Sequence, residues 1–324
     1  MGRPIRKTVI LFKLETTYGT DSVPTGGANA LVVSNMTINP LVANNVGRDV
    51  VTGNLGSTEQ LVGTAYRETS FDIEIAGSGT PTTEAAWGPL MRACGFSPSV
   101  GASFVSYSPI SDISGISSTS GSIWYYLDGQ LHKLLGARGT FSIEMGVGEK
   151  PVFRFRFIGL DGGLTAAANV TPTLTAWRTP LAVTDTNTGD LLFGAIYTAG
   201  TGVVSGGTAY PSRGLRLDIG NNVVFQPLLG SETVEIATRE VTGQISLDLT
   251  AAQAVSFMTD VKANTLLALG FNHGTTSGNR VAIHAPAVQR INPGVEDLNG
   301  NALHTYQLRF VPVSGNDELR IITS

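Results

Sequence analysis

The chain has 324 residues, of which 42% are hydrophobic and 14% are charged. This apolar share is enough for a packed core and excludes a wholly disordered chain, and the length favours two domains at ~150 residues each. The 25 acidic and 21 basic side chains give a net charge of −4. Without a basic excess, the chain is not expected to hold nucleic acid by its phosphates.

The cysteine count and the hydropathy pattern favour a soluble protein that folds in the cytoplasm. Cys94 is the single cysteine, so the fold does not depend on an internal disulfide. The apolar run at residues 9–12 stops at Lys13, which is too short for the core of a signal peptide. No stretch reaches the ~18 apolar residues of a membrane span.

Alternation of apolar and polar residues dominates the chain and predicts strands with one dry and one wet face, as in antiparallel sheets. The alternating segments, in chain order, are residues 71–75, 141–145, 152–157, 244–249 and 307–310. Asp128 and Gly129 lie between two further apolar runs and predict a tight hairpin turn. We therefore expect a mainly β protein with little helix.

Two helices are predicted between the strands. The apolar stripe of the first, at helical spacing, consists of Trp87, Leu90, Met91 and Cys94. We expect this helix to start near residues 80–82 and to stop at Gly95. The second opens with a capping-box pattern from Thr250 to Gln253 and ends near residues 264–265. Its apolar stripe consists of Ala254, Phe257, Met258 and Val261.

The same succession of segments occurs twice, which predicts an internal duplication. The first copy has Leu-Gly-Ser at 55–57, Arg-Glu at 67–68, the strand 71–75 and the first helix. The second copy has Leu-Gly-Ser at 229–231, Arg-Glu at 239–240, the strand 245–249 and the second helix. Each copy later ends in a strand that contains Arg-Phe, at 154–157 and at 308–310.

The duplication suggests a division of the chain into four parts. We expect an N-terminal arm (1–25), a first sheet-and-helix domain (26–160) and a second such domain (213–324). Residues 161–212 between them are rich in Gly, Ala and Thr and read as a linker or insertion that lies over the body of the protein.

No pattern typical of an enzyme is present. The phosphate-binding loop, the serine nucleophile elbow and the H-E-x-x-H zinc motif are all missing from the sequence. The four histidines, which lack zinc-site spacing and are expected to face water, are His132, His273, His284 and His304. Cys94 lies on an apolar stripe and is predicted to be a packing residue. We predict no catalytic site, no cofactor and no metal.

Arg154 and Arg156 alternate with three phenylalanines, a pattern that has two interpretations. The rings and arginines would suit a stacking platform for single-stranded nucleic acid. Alternatively, the rings face the core and the arginines pair across the sheet with Glu144 or Asp72. The second interpretation is preferred, and Arg309 is the matching cross-strand arginine of the second copy.

Four segments resemble those of the major tail proteins of tailed bacteriophages, which are the subunits of the tail tube. They are residues 13–25 (KLETTYGTDSVPT), 87–96 (WGPLMRACGF), 126–140 (YLDGQLHKLLGARGT) and 310–319 (FVPVSGNDEL). The resemblance covers nearly the whole chain apart from its Ala/Thr-rich middle. It implies a β-sandwich or rolled sheet with a flanking helix, and rings of six such domains stacked into a hollow tube. With two domains per chain, three chains would form a ring of pseudo-sixfold symmetry.

The resemblance also implies the function. A structural virion protein of the tail, assembled in the cytoplasm of the bacterial host, would form the tube through which double-stranded DNA passes without specific binding. Its partners would be further copies of itself and the tape-measure and tail-completion proteins, with no membrane. Contacts between rings are expected from residues 1–25, from the loop at 44–66 and from the tail after Gly315, because termini and loops are free to order on assembly.

A wall along which DNA passes should present acidic or neutral groups. The candidate acids, all on predicted wet strand faces, are Asp72, Glu74, Asp248 and, more weakly, Glu144. An ordinary solvated outer face is the competing interpretation. The alternative function is a carbohydrate- or receptor-binding β-sandwich at a tail tip, which requires exposed aromatic residues clustered on a concave face. Trp87, Trp124 and Trp177 are predicted in three different settings and form no such cluster.

Overall fold

The computed structural model describes residues 4–113 and 119–324. The helices are a 3-10 turn (Ile5–Lys7), α1 (Gly26–Asn29), α2 (Gly88–Ala93) and α3 (Ala251–Lys262). The strands of the first part of the chain are β1 (Val9–Leu14), β2 (Ser34–Gly47), β3 (Gln60–Glu74), β4 (Phe96–Val100), β5 (Val105–Pro109), β6 (Gly121–Tyr126), β7 (Gln130–Gly146) and β8 (Val152–Ala166).

The later strands include four short ones and then a series of longer ones. They are β9 (Leu191–Phe193), β10 (Ile196–Thr198), β11 (Val203–Ser205), β12 (Thr208–Tyr210), β13 (Ser212–Asp218), β14 (Asn221–Leu228), β15 (Ser231–Arg239), β16 (Thr242–Leu247), β17 (Leu266–His273), β18 (Val281–Leu298), β19 (Asn301–Phe310) and β20 (Arg320–Thr323). The mainly β fold predicted from the alternation is confirmed.

A single antiparallel sheet extends through both parts of the chain. Its main path has the order β12-β9-β17-β18-β19-β16-β13-β7-β8-β3-β2, and β1 and β6 join it beside β7. The pairing of β13 with β7 connects the strands of the first part of the chain to those of the second. Two separate hairpins, β10–β11 and β14–β15, lie outside this sheet.

The strand order of the sheet repeats. The first half has the order β1-β6-β7-β8-β3-β2, and the second half has the order β9-β17-β18-β19-β16-β13. The two series correspond member by member in chain order as well, and α2 follows β3 as α3 follows β16. A β-bulge lies near the start of both β2 and β13, between Ser34 and Thr37 and between Ser212 and Leu215.

The dry face of the first half is a layer of aromatic rings. It consists of Phe71, Phe141, Phe153, Phe155 and Phe157, all fully buried. Neighbouring ring centroids in this layer lie 5.4–6.1 Å apart. Because their spacing is two residues along each strand, all these rings point to the same side of the sheet.

The two longer helices differ in how completely the chain covers them. Helix α2 starts at Gly88, later than predicted, and ends where Gly95 adopts a φ of +77°; Trp87, Leu90, Met91 and Cys94 are all buried. Helix α3 has the predicted capping box between Thr250 and Gln253. Phe257 is buried and Val261 is half-buried, but Met258 is 39% exposed and is not a core residue. The chain itself leaves that flank of α3 uncovered.

Parts of the predicted arm and linker belong to the sheet. Strand β1 lies within residues 1–25, pairs with β6 and buries Ile10, Leu11 and Phe12. Strand β8 extends to Ala166, and β9 to β12 lie within residues 161–212. The apolar run of β1 is short, and it is buried because it pairs with β6, which lies more than a hundred residues later in the chain.

Candidate functional site: the polar face and the open edges of the sheet

The side of the sheet opposite the aromatic layer carries polar side chains in rows that cross both halves. One row, followed through the paired residues from β2 to β18, is Ser34, Asp72, Arg154, Ser142, Asp218, Thr242, Arg309 and Gln289. The next row is Glu74, Val152, Glu144, Arg216, Gln244, Gln307 and Ile291, of which Val152 and Ile291 are apolar. We call this surface the polar face. It continues without interruption across the β7–β13 junction.

Ion pairs across strands hold most arginines of the polar face. Arg154 places Nη2 2.7 Å from Glu144 Oε2 and Nε 3.8 Å from Asp72 Oδ2, so it contacts both acids named from the sequence. Arg156 pairs with Glu68 of β3, a partner that the sequence did not indicate. Because strand partners depend on the register between β3 and β8, the alternation alone did not identify this acid.

The second half repeats this arrangement with fewer charges. Arg309 pairs with Glu240, an exposed pair. Arg216 and Asp218 of β13 also lie on the polar face, and Asp218 Oδ1 accepts a hydrogen bond from the Gly220 amide at 2.9 Å. Sequence reasoning missed both, although the alternating stretch 215–218 (LRLD) carries the signal.

The four acids named from the sequence do not form one cluster. Asp72 is only 9% exposed and accepts a hydrogen bond from Asn35 Nδ2 at 2.8 Å, so its carboxylate is held close to the sheet. Glu74 lies at the end of β3 and pairs with Lys150 Nζ at 2.9 Å. Asp248 follows β16 and is exposed. It holds the position in the second half that Glu74 holds in the first.

The polar face has more acidic than basic groups. Its acids are Glu68, Asp72, Glu74, Glu144, Asp218 and Glu240, and its arginines are Arg154, Arg156, Arg216 and Arg309. Lys150 adds one ammonium at the turn between β7 and β8. A shallow depression of about 540 Å³ crosses the face between β7 and β19. Its lining contains strand residues and ion-paired charges.

Of the groups considered for chemistry, Cys94 and three of the four histidines are buried, and His304 is half-buried. Burial raises the pKa of the Cys94 thiol well above its usual value. His132, His273 and His284 are buried, contrary to the expectation that they face water, and burial lowers the pKa of each. They are buried because the first residues of β7 and β18 and the last of β17 pack beneath neighbouring segments. Within residues 4–113 and 119–324, no group of three potential metal ligands is found.

Exposed apolar side chains lie at hairpin tips and along sheet edges. Leu55, in the loop between β2 and β3, and Leu229, in the turn between β14 and β15, are both fully exposed. These two hairpins occupy corresponding places, because β2 and β3 correspond to β13 and β16. None of the large apolar side chains exposed in the described residues is aromatic, so the aromatic cluster required for a sugar-binding surface is not seen there.

The second-half hairpin packs against the first half. The rings of Phe225 and Tyr66 lie 5.2 Å apart. The Tyr18 hydroxyl accepts a hydrogen bond from the Val234 amide at 2.5 Å, and Arg138 Nη1 donates to the Val234 carbonyl at 2.9 Å. Thus a segment of the second half covers strands of the first half.

Together these features define a structural β protein, whose distinctive surfaces are a polar sheet face, open strand edges and apolar hairpin tips. A family model described as phage tail tube protein matches residues 5–310. The chain therefore belongs to the phage tail tube protein family, and it is a structural component of the phage tail. No curated protein matches the chain. No helix in the described part of the chain is long and apolar enough to cross a membrane.

Proposed function

We propose that three copies of this chain form a ring of pseudo-sixfold symmetry and that such rings stack into a hollow tube. The observation that carries this proposal is the repeated strand order, together with the β7–β13 pairing that joins the two halves edge to edge. In a ring of similar domains, each domain must contact the next head-to-tail, through two different edges. Each chain already contains one such contact, between its two halves. Three chains therefore supply three contacts within chains and three contacts between chains.

The polar face is proposed to line the bore through which double-stranded DNA passes into the host. Its acids outnumber its basic groups, and Arg154, Arg156 and Arg309 are held by carboxylates. Arginines paired in this way have less positive charge to offer to phosphates, and a weakly acidic wall disfavours DNA adhesion. Passage without specific binding follows from that balance.

Stacking of rings is proposed to use the two hairpin tips. Leu55 and Leu229 are fully exposed in the chain, and exposed apolar side chains of this kind are typical of contact surfaces. The tail after Gly315 has a smaller role in this proposal, because β20 pairs with β5 and β18 within the chain. Tape-measure and tail-completion proteins are the further proposed partners, and assembly takes place in the host cytoplasm.

Electron microscopy of the purified chain across concentration and salt tests the ring and tube. Hollow filaments, or rings that contain three chains by native mass spectrometry, are expected. Particles that stay monomeric under all these conditions would refute the proposal.

The hairpin tips and the bore are tested separately. Leu55→Asp with Leu229→Asp should leave rings intact and abolish stacks; unchanged tube length would refute the stacking role. Glu240→Lys should make tubes retain double-stranded DNA at low salt, with Glu232→Lys on the β15 hairpin as a charge-matched control. Equal DNA retention by both variants would refute a lumenal polar face.

A further inference from the structure

Two of the strand edges left open within the described residues belong to strands of the polar face, β2 and β18. Strand β2 pairs with β3 on one side and with no other strand of the described residues. Strand β18 pairs with β17 only as far as Gln289, and from Ile291 to Leu298 it pairs with β19 alone. Open edges with unsatisfied backbone groups are ready sites for pairing with another chain.

The junction inside the chain is a filled example of the same contact. Here β13 lies against the end of β7, with Arg216 opposite Glu144, Leu217 opposite Ile143 and Asp218 opposite Ser142. Leu217 and Ile143 are both buried. In the repeated strand order, β13 corresponds to β2 and β7 corresponds to β18, so the two open edges are the counterparts of this junction.

The register of the counterpart can be derived from the strand pairs within each half. Aligning the repeated segments 71–75 and 245–249 makes Gln244 of β16 the counterpart of Ser70 of β3. Thr37 lies opposite Ser70, as Arg216 lies opposite Gln244, so Thr37 and Arg216 correspond. Continuing across the sheet, Gly294 is opposite Thr305 in β19, as Ser142 is opposite Arg154 in β8. Gly294 is therefore the counterpart of Ser142. Two residues further along each strand, Glu296 is the counterpart of Glu144.

The space behind the open edge of β18 is empty in the chain. A cavity of about 360 Å³ lies between α3 and β18, and its walls are mostly apolar. Its lining includes Val255, Met258, Pro293 and Val295, of which Val295 is 67% exposed. In the first half, the corresponding edge of β7 is covered by β13, whose Leu215 and Leu217 are buried.

The geometry points to a second copy of this chain as the occupant: β2 of one copy adds to β18 of the next. The derived register places Thr37 opposite Glu296, Ile38 opposite Val295 and Asn39 opposite Gly294. Ile38, which is half-buried against the core of its own chain, then extends that core into the cavity beside α3. This inference rests on the proposed ring and deepens it by naming the residues that meet.

The contact explains the exposed flank of α3. Met258 and Val255 are apolar and exposed in the single chain, which is unfavourable for an isolated protein. Covering them with Ile38 of another copy makes the contact between two copies equivalent to the β13–β7 contact within one chain. Each chain has one β2 edge and one β18 edge, so the contact is head-to-tail and closes after three chains.

Cysteine cross-linking tests the register. The variant with Thr37→Cys and Glu296→Cys, assembled and then oxidised, should give a disulfide ladder that ends at three chains on a denaturing gel. Each single variant should give no such ladder, and Cys94 is buried and should not interfere. A variant with Asn45→Cys and Glu296→Cys, eight residues further along β2, should also give none.

The junction inside the chain supplies a positive control. Glu144→Cys with Arg216→Cys should close a disulfide within single chains, seen as a mobility shift without a ladder. A second variant, Val295→Asp, should abolish rings while the unfolding midpoint of the chain stays unchanged. Val100→Asp on the β4–β5 hairpin is the matched control, because its side chain is 58% exposed, and it should still form rings.

The outcomes separate this inference from the proposed function. Rings or tubes without the ladder from Cys at 37 and 296, or rings that survive Val295→Asp, would refute the register and leave the tube intact. Failure of the unaltered chain to form any ring would refute the proposed function and this contact with it.

Discussion

Comparing Ile143→Ala with Val295→Ala tests whether the edge of β7 is covered within the single chain while the corresponding edge of β18 is open. The two residues hold corresponding positions on β7 and β18, but Ile143 is fully buried against Leu217 and Val295 is 67% exposed. Ile143→Ala removes three carbons, about 2.4 kcal/mol of transfer free energy, and the cavity raises the total to about 2–5 kcal/mol. Val295→Ala removes two carbons, of which only a third of the area is buried, so the cost is about 0.5 kcal/mol.

Urea denaturation of the unassembled chain, followed by tryptophan fluorescence, measures both costs. The dependence of the free energy of unfolding on urea should be the same for both variants, so that midpoints can be compared directly. A cost for Val295→Ala equal to that for Ile143→Ala would refute the reasoning, because it would mean that the edge of β18 is already covered within a single chain.

Three further predictions concern the folded chain, each measured by denaturation. Thr250→Ala should lower the free energy of unfolding by about 1 kcal/mol through loss of the α3 cap; Thr250→Ser should not, and equal effects of the two would contradict this. Burial, and then the charge of Arg67, lower the pKa of His132. The folded chain therefore binds a proton at His132 less tightly than the unfolded chain does, so the free energy of unfolding should fall as the pH drops below ~6.5. His132→Gln should make that fall shallower, and an unchanged slope would count against it. Asn221 Nδ2 donates to the carbonyls of Cys94 (2.7 Å) and Gly139 (3.0 Å), so Asn221→Ala should cost about 1–3 kcal/mol; a neutral result would show that water replaces the amide.

Local features of the sheet and of α3 were predictable from short stretches of sequence. The alternation at residues 152–157 places the rings on the dry face and Arg154 on the polar face, because neighbouring side chains of a strand point to opposite sides. The capping box at Thr250 and Gln253 is equally local, since both partners lie within one turn. The repeated order of segments was visible for the same reason.

Other features depended on partners far along the chain. Residues 9–14 have the composition of a strand, but only pairing with β6 makes Leu11 and Phe12 part of the core. His132 and His284 carry no sequence signal for burial, and Met258 has the spacing of a buried residue yet lies exposed. In each case the outcome depends on which distant strand or helix lies alongside.

The sequence by itself determined the class of protein: an alternating, weakly charged β chain with two similar halves and tail-tube-like segments. Only the tertiary structure decided that β13 pairs with β7, which strand edges stay open and which acid each arginine meets. Periodicity reports the two faces of a strand because it depends on adjacent residues. The choice of neighbouring strand and its register depends on contacts between residues far apart along the chain, and periodicity does not encode it.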